Sequence, residues 1–315
     1  MKLKKVAFLL ALVVASSCTL SACKKVSKLI SSDSGTSSAT ASNAGSNLMA
    51  AKAAQYAEGY NTLIGTSGLK ATYAHYLKAD IDHATVSKDL SITDGSIEIA
   101  LNQLTAGRAI ASTQAPALDQ AADQLIVALG KLNVQLKELE PYYKSKAYKD
   151  DNFAKGKAAH AAMIANFDAA SSASHQFSKN LDEHENANAK LRLQSLKEKG
   201  EMLAYSTALS LSQAKEILSL FEEESSVKNP DILKRADALI TQLEANLAEQ
   251  RKEYAKANTA TSGAKPDVDY QLAESHLTSM VGAYRNLKQS GKAKDVNSMV
   301  SAYNNAVHNS NSIRD

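Results

Sequence analysis

The chain lacks most of the residue patterns on which enzyme sites are commonly built. It has no tryptophan, two cysteines and four prolines among 315 residues, and its seven histidines are scattered. No His-Glu-x-x-His run, Gly-x-Ser-x-Gly elbow or glycine-rich loop ending in Lys-Ser or Lys-Thr is present. These motifs carry zinc, acyl-transfer and phosphate chemistry. We therefore expect a protein that is not an enzyme, with no metal site and no cofactor.

The longest apolar run lies at the very start of the chain, from Val6 to Val14, after three lysines. This run is too short to cross about 30 Å of hydrocarbon as a permanent anchor. Its charged beginning and the small residues that follow are typical of a cleaved secretory signal. We predict that residues 1–22 are removed.

The end of this segment, Leu20-Ser21-Ala22-Cys23, resembles the cleavage site of bacterial lipoproteins. The resemblance implies that Cys23 becomes the first residue of the mature chain and carries acyl groups such as palmitate. Lys24 follows, where an Asp favours retention in the inner membrane, so we expect an outer-membrane anchor that faces the periplasm. A plain secretory signal with an incidental cysteine is the alternative.

Removal of residues 1–22 takes away three lysines and no acid, leaving 33 basic and 33 acidic side chains. A neutral domain gives no support to a nucleic-acid partner. With Cys23 lipidated and Cys18 removed with the signal, no thiol is left for a disulfide. The stability of the fold therefore has to come from packing.

Residues 23–47 are predicted to be a lipid-anchored flexible tether, because Ser31 to Ser46 is dominated by Ser, Ala, Gly, Thr and Asn. A Gly/Ser-rich segment of this length reaches on the order of 20 Å. Residues 48–315 are predicted to be one helical domain.

Apolar residues that recur in steps of four and three indicate an all-α fold, an elongated antiparallel bundle of about six or seven long helices. Pro141 lies inside one such pattern and is expected to kink or end that helix. Near 86–100, apolar residues alternate with polar ones on either side of Asp94-Gly95. A small hairpin is therefore an alternative there to a loop between helices. The stripes begin and end at Met49–Leu63, Leu118–Tyr143, Phe153–Leu181, Leu203–Phe221, Ile232–Leu247, Tyr270–Leu287 and Val296–Val307.

Three stretches resemble the YiiG-like bacterial lipoproteins of the DUF3829 family. They are Tyr56 to Asn61, the run from Tyr142 to Asp151 continuing to His160, and Tyr303 to Asn305. The resemblance implies a periplasm-facing helical domain on a lipid anchor, and it implies no catalytic residues.

Within these stretches, several residues are candidates for a pocket or an interface. Asp150 and Asp151 precede a predicted helix, where they can accept bonds from its first turn or, as an alternative, bind a divalent cation. If Tyr56, Tyr60, Asn61 and Tyr303 converge, they can line a small-molecule pocket. His160, on an apolar stripe, is expected to be a hydrogen-bonded core residue.

Anchor, tether and missing catalytic motifs together predict a protein that acts through protein–protein or structural contacts in the cell envelope. The alternative is a periplasmic module that binds a small ligand or metal between helices.

Overall fold

The computed structural model describes residues 38–87, 89–221, 223–259 and 265–313, and within these ranges every regular element is helical. The all-α prediction is therefore confirmed. Residues 1–37, which include the predicted signal, Cys23 and most of the predicted tether, lie outside the described part of the chain.

The α-helices follow one another with short connections, and three of these connections include single 3₁₀ turns, Ile81–His83, Ala147–Lys149 and Glu224–Lys228. The helices are α1 Ser38–Ile64, α2 Leu69–Ala79, α3 Ile97–Ala109, α4 Pro116–Lys144, α5 Ala154–Lys199, α6 Met202–Ser219, α7 Pro230–Thr259, α8 Asp269–Ser290 and α9 Ala293–Ser312.

Two sequence features of the helices have the structural effect that their chemistry favours. The stripe of α4 is buried from Leu118 to Tyr143, so its apolar face is the packed face. The Asn229 side chain accepts hydrogen bonds from the amides of Asp231 and Ile232, at 3.0 and 3.4 Å, and caps α7 just before Pro230. Caps of this kind contribute about 1 kcal/mol.

Three sequence predictions about helix boundaries need correction. Residues 38–47, assigned to the flexible tether, begin α1, although Ala39, Ala41 and Ala44 are the only strong helix formers among these ten residues. The hairpin alternative near 86–100 is wrong, because α3 begins at Ile97 and buries residues in helical steps. The predicted stripe Phe153–Leu181 stops short of the end of its helix, because α5 continues to Lys199, where Gly200 with a φ of +72° ends it.

Pro141 does not end α4 but lies in its last turn. The helix continues three residues to Lys144, and the amide of Ser145 donates to the Pro141 carbonyl at 2.9 Å. Proline in the last turn removes one intrahelical bond, which a helix end can lose at little cost.

Contacts group the described residues into two compact units, 38–185 and 186–313. Whether 48–315 forms the single domain expected from sequence stays a prediction. In the first unit, α1 and α3 approach closely at Gly59. A Cβ on this residue would lie only 2.8 Å from the Leu104 side chain. That close approach explains the glycine in the Tyr56 to Asn61 stretch.

The second unit has its own apolar core, formed by α6, α7, α8 and α9. Tyr284 on α8 donates to the Asp237 carboxylate on α7 at 2.8 Å, and Lys288 contacts the same carboxylate at 2.7 Å. Burial raises the pKa of Asp237, but the bonds from Lys288 and Tyr284 favour the charged carboxylate. The pKa of Asp237 therefore lies below its usual range.

Candidate functional site

The run from Tyr142 to His160 folds into an aromatic cluster at the end of α4 and the start of α5. The cluster consists of Tyr142, Tyr143, Tyr148 and Phe153. Tyr142 and Tyr143 meet edge to face with ring centroids 5.0 Å apart, and Tyr148 stacks on Phe153 at 4.6 Å. All four side chains are buried. Aromatic pairs in these geometries add about 0.5–1.5 kcal/mol each to simple burial.

Asp151 serves as the acceptor at the start of α5. Its carboxylate accepts the Lys155 amide at 3.0 Å and the Tyr142 hydroxyl at 2.7 Å. The hydrogen bond from the Lys155 amide contributes most to lowering the pKa of Asp151. Asp150 is exposed and has no side-chain hydrogen bond with the described residues. The two carboxylates therefore have separate environments, which supports the capping interpretation over a paired cation site.

His160 lies on α5 between two partners. The Tyr76 hydroxyl is 2.8 Å from Nδ1, and an Asp82 carboxylate oxygen is 3.6 Å from Nε2. A proton on Nε2 suits Asp82, so Nδ1 accepts the tyrosine hydroxyl in this assignment. Burial raises the pKa of Tyr76, which keeps this hydroxyl protonated at neutral pH. His160 is thus a hydrogen-bonded histidine at the edge of the core, as the sequence suggested.

The loops beside the aromatic cluster are tied together by charge. Asp89 pairs with Lys146 at 2.9 Å and with Lys149 at 3.3 Å, and these two lysines lower the pKa of Asp89. The Tyr148 hydroxyl accepts the Leu90 amide at 3.3 Å. Side-chain bonds therefore join the connection that precedes α3 to the connection that follows α4.

Backbone strain is concentrated at the same end of the first unit. Asp80, Lys146, Asn152 and Phe153 all have φ between +49° and +63°. This region is unfavourable for residues with a side chain, and most unfavourable for a bulky one such as Phe153. Such strain persists only where surrounding packing enforces it. Phe153 is fully buried, and its ring stacks on the ring of Tyr148.

Tyr143 and Gly156 form the tightest contact of the cluster. A Cβ on Gly156 would lie 2.5 Å from the Tyr143 hydroxyl, so a side chain at this position would force the Tyr143 ring to move. The Tyr143 hydroxyl is buried and has no hydrogen-bond partner in the described part of the chain. Burial raises the pKa of Tyr143 to about 12. Close packing against Tyr143 therefore explains the glycine at position 156, within the stretch from Tyr142 to His160.

Tyr56 and Tyr60 on α1 contact the same ring of α5. Their ring centroids lie 5.6 and 5.8 Å from that of Phe177. Asn61, the next residue on α1, is half-buried. The structure therefore brings Tyr56 and Tyr60 together in the core of the first unit, where they pack against Phe177.

The most buried charge among the described residues of this unit, Lys52 on α1, belongs to no sequence motif. Its side chain is 1% exposed, and its Nζ lies 2.8 and 3.0 Å from the two Asp119 carboxylate oxygens. It also donates to the Ser112 carbonyl at 2.8 Å, while Tyr56 donates to Asp119 at 2.7 Å. A fully bonded pair such as this has a structural role. The spacing of Lys52 from Tyr56, one helical turn, is the sequence feature that places both side chains on one face of α1.

Tyr303 belongs to the second unit. It lies on α9 and is 6% exposed within the apolar cluster of that unit. The sequence hypothesis that joined Tyr303 to Tyr56, Tyr60 and Asn61 therefore stays a prediction about residues of two different units.

Two open grooves run along the surface between α4 and α5. One has a volume of about 370 Å³ and the other of about 510 Å³. Val127 and Lys131 line the first, and Glu138 and Lys155 line the second. Alanines of both helices form much of the remaining surface. A shallow groove open to solvent suits the side of another helix better than an enclosed small molecule.

No group of three or more His, Cys, Asp or Glu in the described ranges is arranged to hold a metal ion. Among the same residues, no helix is long and apolar enough to cross a membrane.

No curated protein and no solved structure matches the chain. The model of a family described as "Protein of unknown function (DUF3829)" matches residues 47–312, which is most of the chain. The chain therefore belongs to the DUF3829 family.

Proposed function

We propose that this protein is a lipid-anchored component of the cell envelope, facing the periplasm, that acts by binding a protein partner and not by catalysis. The observation that carries the proposal is the outward face of α4. Val127 and Val134 are each 58% exposed there, beside the open grooves along α5. Apolar side chains flanked by charges on a helix surface are typical of protein interfaces.

The chemistry of the candidate residues supports the same proposal. Asp151 caps a helix, and His160 bonds to Tyr76 within the edge of the core. Groups used in this way contribute to the fold, which supports a structural role for both residues. The anchor is supported by the Leu20 to Cys23 sequence, which would confine the domain near a membrane and raise its effective concentration there.

The anchor and the partner can be tested separately in intact cells. Cys23→Ser, with a cleavable export signal in place of residues 1–22, is expected to release the protein into the soluble periplasmic fraction. Proximity labelling from the anchored chain is expected to recover reproducible proteins that a lipidated unrelated domain does not label. Recovery of the same proteins by both baits would contradict the proposal.

One observation favours the alternative of a small-ligand module. The buried Tyr143 hydroxyl has no hydrogen-bond partner among the described residues, and a polar ligand atom would supply one. Native mass spectrometry of the exported Cys23→Ser protein tests this alternative directly. Extra mass that disappears on denaturation would favour a ligand, and an unmodified mass would favour the interaction protein.

A further inference from the structure

We infer that the exposed stripe of α4 is a self-association surface, at which α4 of one copy pairs antiparallel with α4 of a second copy. This inference rests on the proposed function, since it names the first partner of the interaction module. The stripe consists of Val127, Lys131, Val134, Glu138 and Pro141.

The five residues follow one another in steps of four, three, four and three, so they lie along one face of the helix. All five are exposed. The order is apolar, basic, apolar, acidic, apolar. This arrangement reads almost the same from either end, apart from the reversed sign of the charges.

That near-symmetry is what a two-fold interface requires, because residue i of one copy must face residue j of the other and the reverse. With the axis at Val134, Val127 and Pro141 are each seven residues from it, or about 10 Å along the helix. Val127 of one copy therefore faces Pro141 of the other copy across the axis. Lys131 and Glu138 lie about 4.5 and 6 Å from the axis, so the lysine of each copy faces the glutamate of its partner.

The charges of the stripe differ from the neighbouring charges of α4 in having no ion-pair partner among the described residues. Asp123 and Lys137, beside the stripe, pair with Arg108 and Glu98 of α3. Lys131 and Glu138 form no ion pair with the described residues. Complementary charges across an interface fix its register even when they add little affinity.

The surface next to the stripe permits close approach. Gly130 lies between Val127 and Val134, and a Cβ added to it would meet nothing within 4 Å. The grooves along α5 provide space for side chains of the second copy. Helices pack with their axes 8–10 Å apart where side chains interlock.

A single pair of crossing helices buries less than the roughly 1,200 Å² of a stable complex. The pairing is therefore weak in dilute solution, and confinement on a membrane surface promotes it by mass action. Covalent trapping in the full chain, in cells, is the appropriate measurement for such a contact.

The test uses Val134→Cys in the full chain, treated in cells with a mild oxidant and analysed with and without reductant. The matched control is Ser172→Cys, an exposed and nearly isosteric change on α5. We expect a reductant-sensitive dimer at least about fivefold more abundant for Val134→Cys than for Ser172→Cys or the parent chain, because a two-fold contact brings the two thiols together. Equal dimer in Val134→Cys and Ser172→Cys would overturn the inference.

Charge reversal tests the register in the Val134→Cys background. Lys131→Glu alone and Glu138→Lys alone are each expected to lower the dimer fraction, since like charges would then face each other. The two changes together are expected to restore it. Failure of restoration, with thermal unfolding unchanged, would contradict the antiparallel register. If dimer trapping fails while proximity labelling still recovers other proteins, the self-association is wrong and the proposed function stands.

Discussion

Lys52 Nζ lies 2.8 Å from the Asp119 carboxylate, and the lysine side chain is 1% exposed. This pair joins α1 to α4 inside the first unit, and Tyr56 donates to the same carboxylate. A buried pair of charges adds little stability compared with apolar residues of the same shape, but loss of one partner strands the other in a low-dielectric interior.

Asp119→Ala is therefore expected to lower the free energy of unfolding by about 3–5 kcal/mol. Replacement of both partners, Lys52→Met with Asp119→Leu, is expected to cost less than Asp119→Ala alone. Urea unfolding followed by circular dichroism measures both. The control is Glu98→Gln, which removes the half-exposed pair with Lys137 and is expected to cost under about 1 kcal/mol. A small effect of Asp119→Ala, equal to that of Glu98→Gln, would show that the pair is not buried in solution.

The contact between Gly156 and the Tyr143 hydroxyl predicts a specific pattern of coupling. Gly156→Ala places a Cβ 2.5 Å from that hydroxyl, and we expect a loss of about 1–3 kcal/mol from overpacking. Tyr143→Phe removes the clashing oxygen, so the double variant is expected to recover part of the loss. A double-mutant cycle by chemical denaturation gives the coupling free energy. Simple additivity of the two changes would contradict the contact.

The low pKa of Asp151 predicts a pH dependence of stability. Because the folded state lowers this pKa from its ordinary value of 3.8, the ionised carboxylate stabilises the fold above about pH 4, and this contribution is lost as the pH falls through the folded pKa. Asp151→Asn is expected to be less stable than the parent near neutral pH, with the difference shrinking below the folded pKa. The amide retains an acceptor for Lys155 but no charge.

Unfolding midpoints of parent and Asp151→Asn measured from about pH 7 down to about pH 2.5 test this prediction. Asp150→Asn is the matched control, because the Asp150 side chain makes no hydrogen bond with the described residues. A difference between parent and Asp151→Asn that stays constant over this range would mean that the carboxylate does not interact with α5 as described.

Much of the fold follows from helical spacing, and the exceptions have physical causes. The steps from Leu118 to Tyr143 are so regular that α4 could be predicted closely. The helix over residues 97–109 was not predicted. A loop was expected near 86–100, with a hairpin as the alternative because Ile97 and Ile99 are two residues apart, whereas Ala100 and Leu104 complete a helical face. Tertiary packing against α1 through Gly59 decides the outcome there, and spacing alone does not contain it.

The candidate residues show the same division. The capping role of Asp151 depends on local sequence and was predicted. The pairing of His160 with Tyr76, and of Lys52 with Asp119, joins residues 84 and 67 positions apart. Sequence spacing within one helix places each residue on a face, but it does not tell which face of another helix it meets. The exposure of Val127 and Val134 likewise depends on which helices cover α4.

The most direct test of the account is site-specific photocrosslinking from the outward face of α4 in cells. A photoreactive amino acid at Val127 of the full chain, with the same residue at Ser172 as control, reports which protein touches each surface. We expect protein adducts of discrete mass from Val127 that are absent from Ser172, including an adduct of two copies of this chain. No adduct from Val127 beyond that from Ser172 would contradict the claim that the protein acts through contacts at this face.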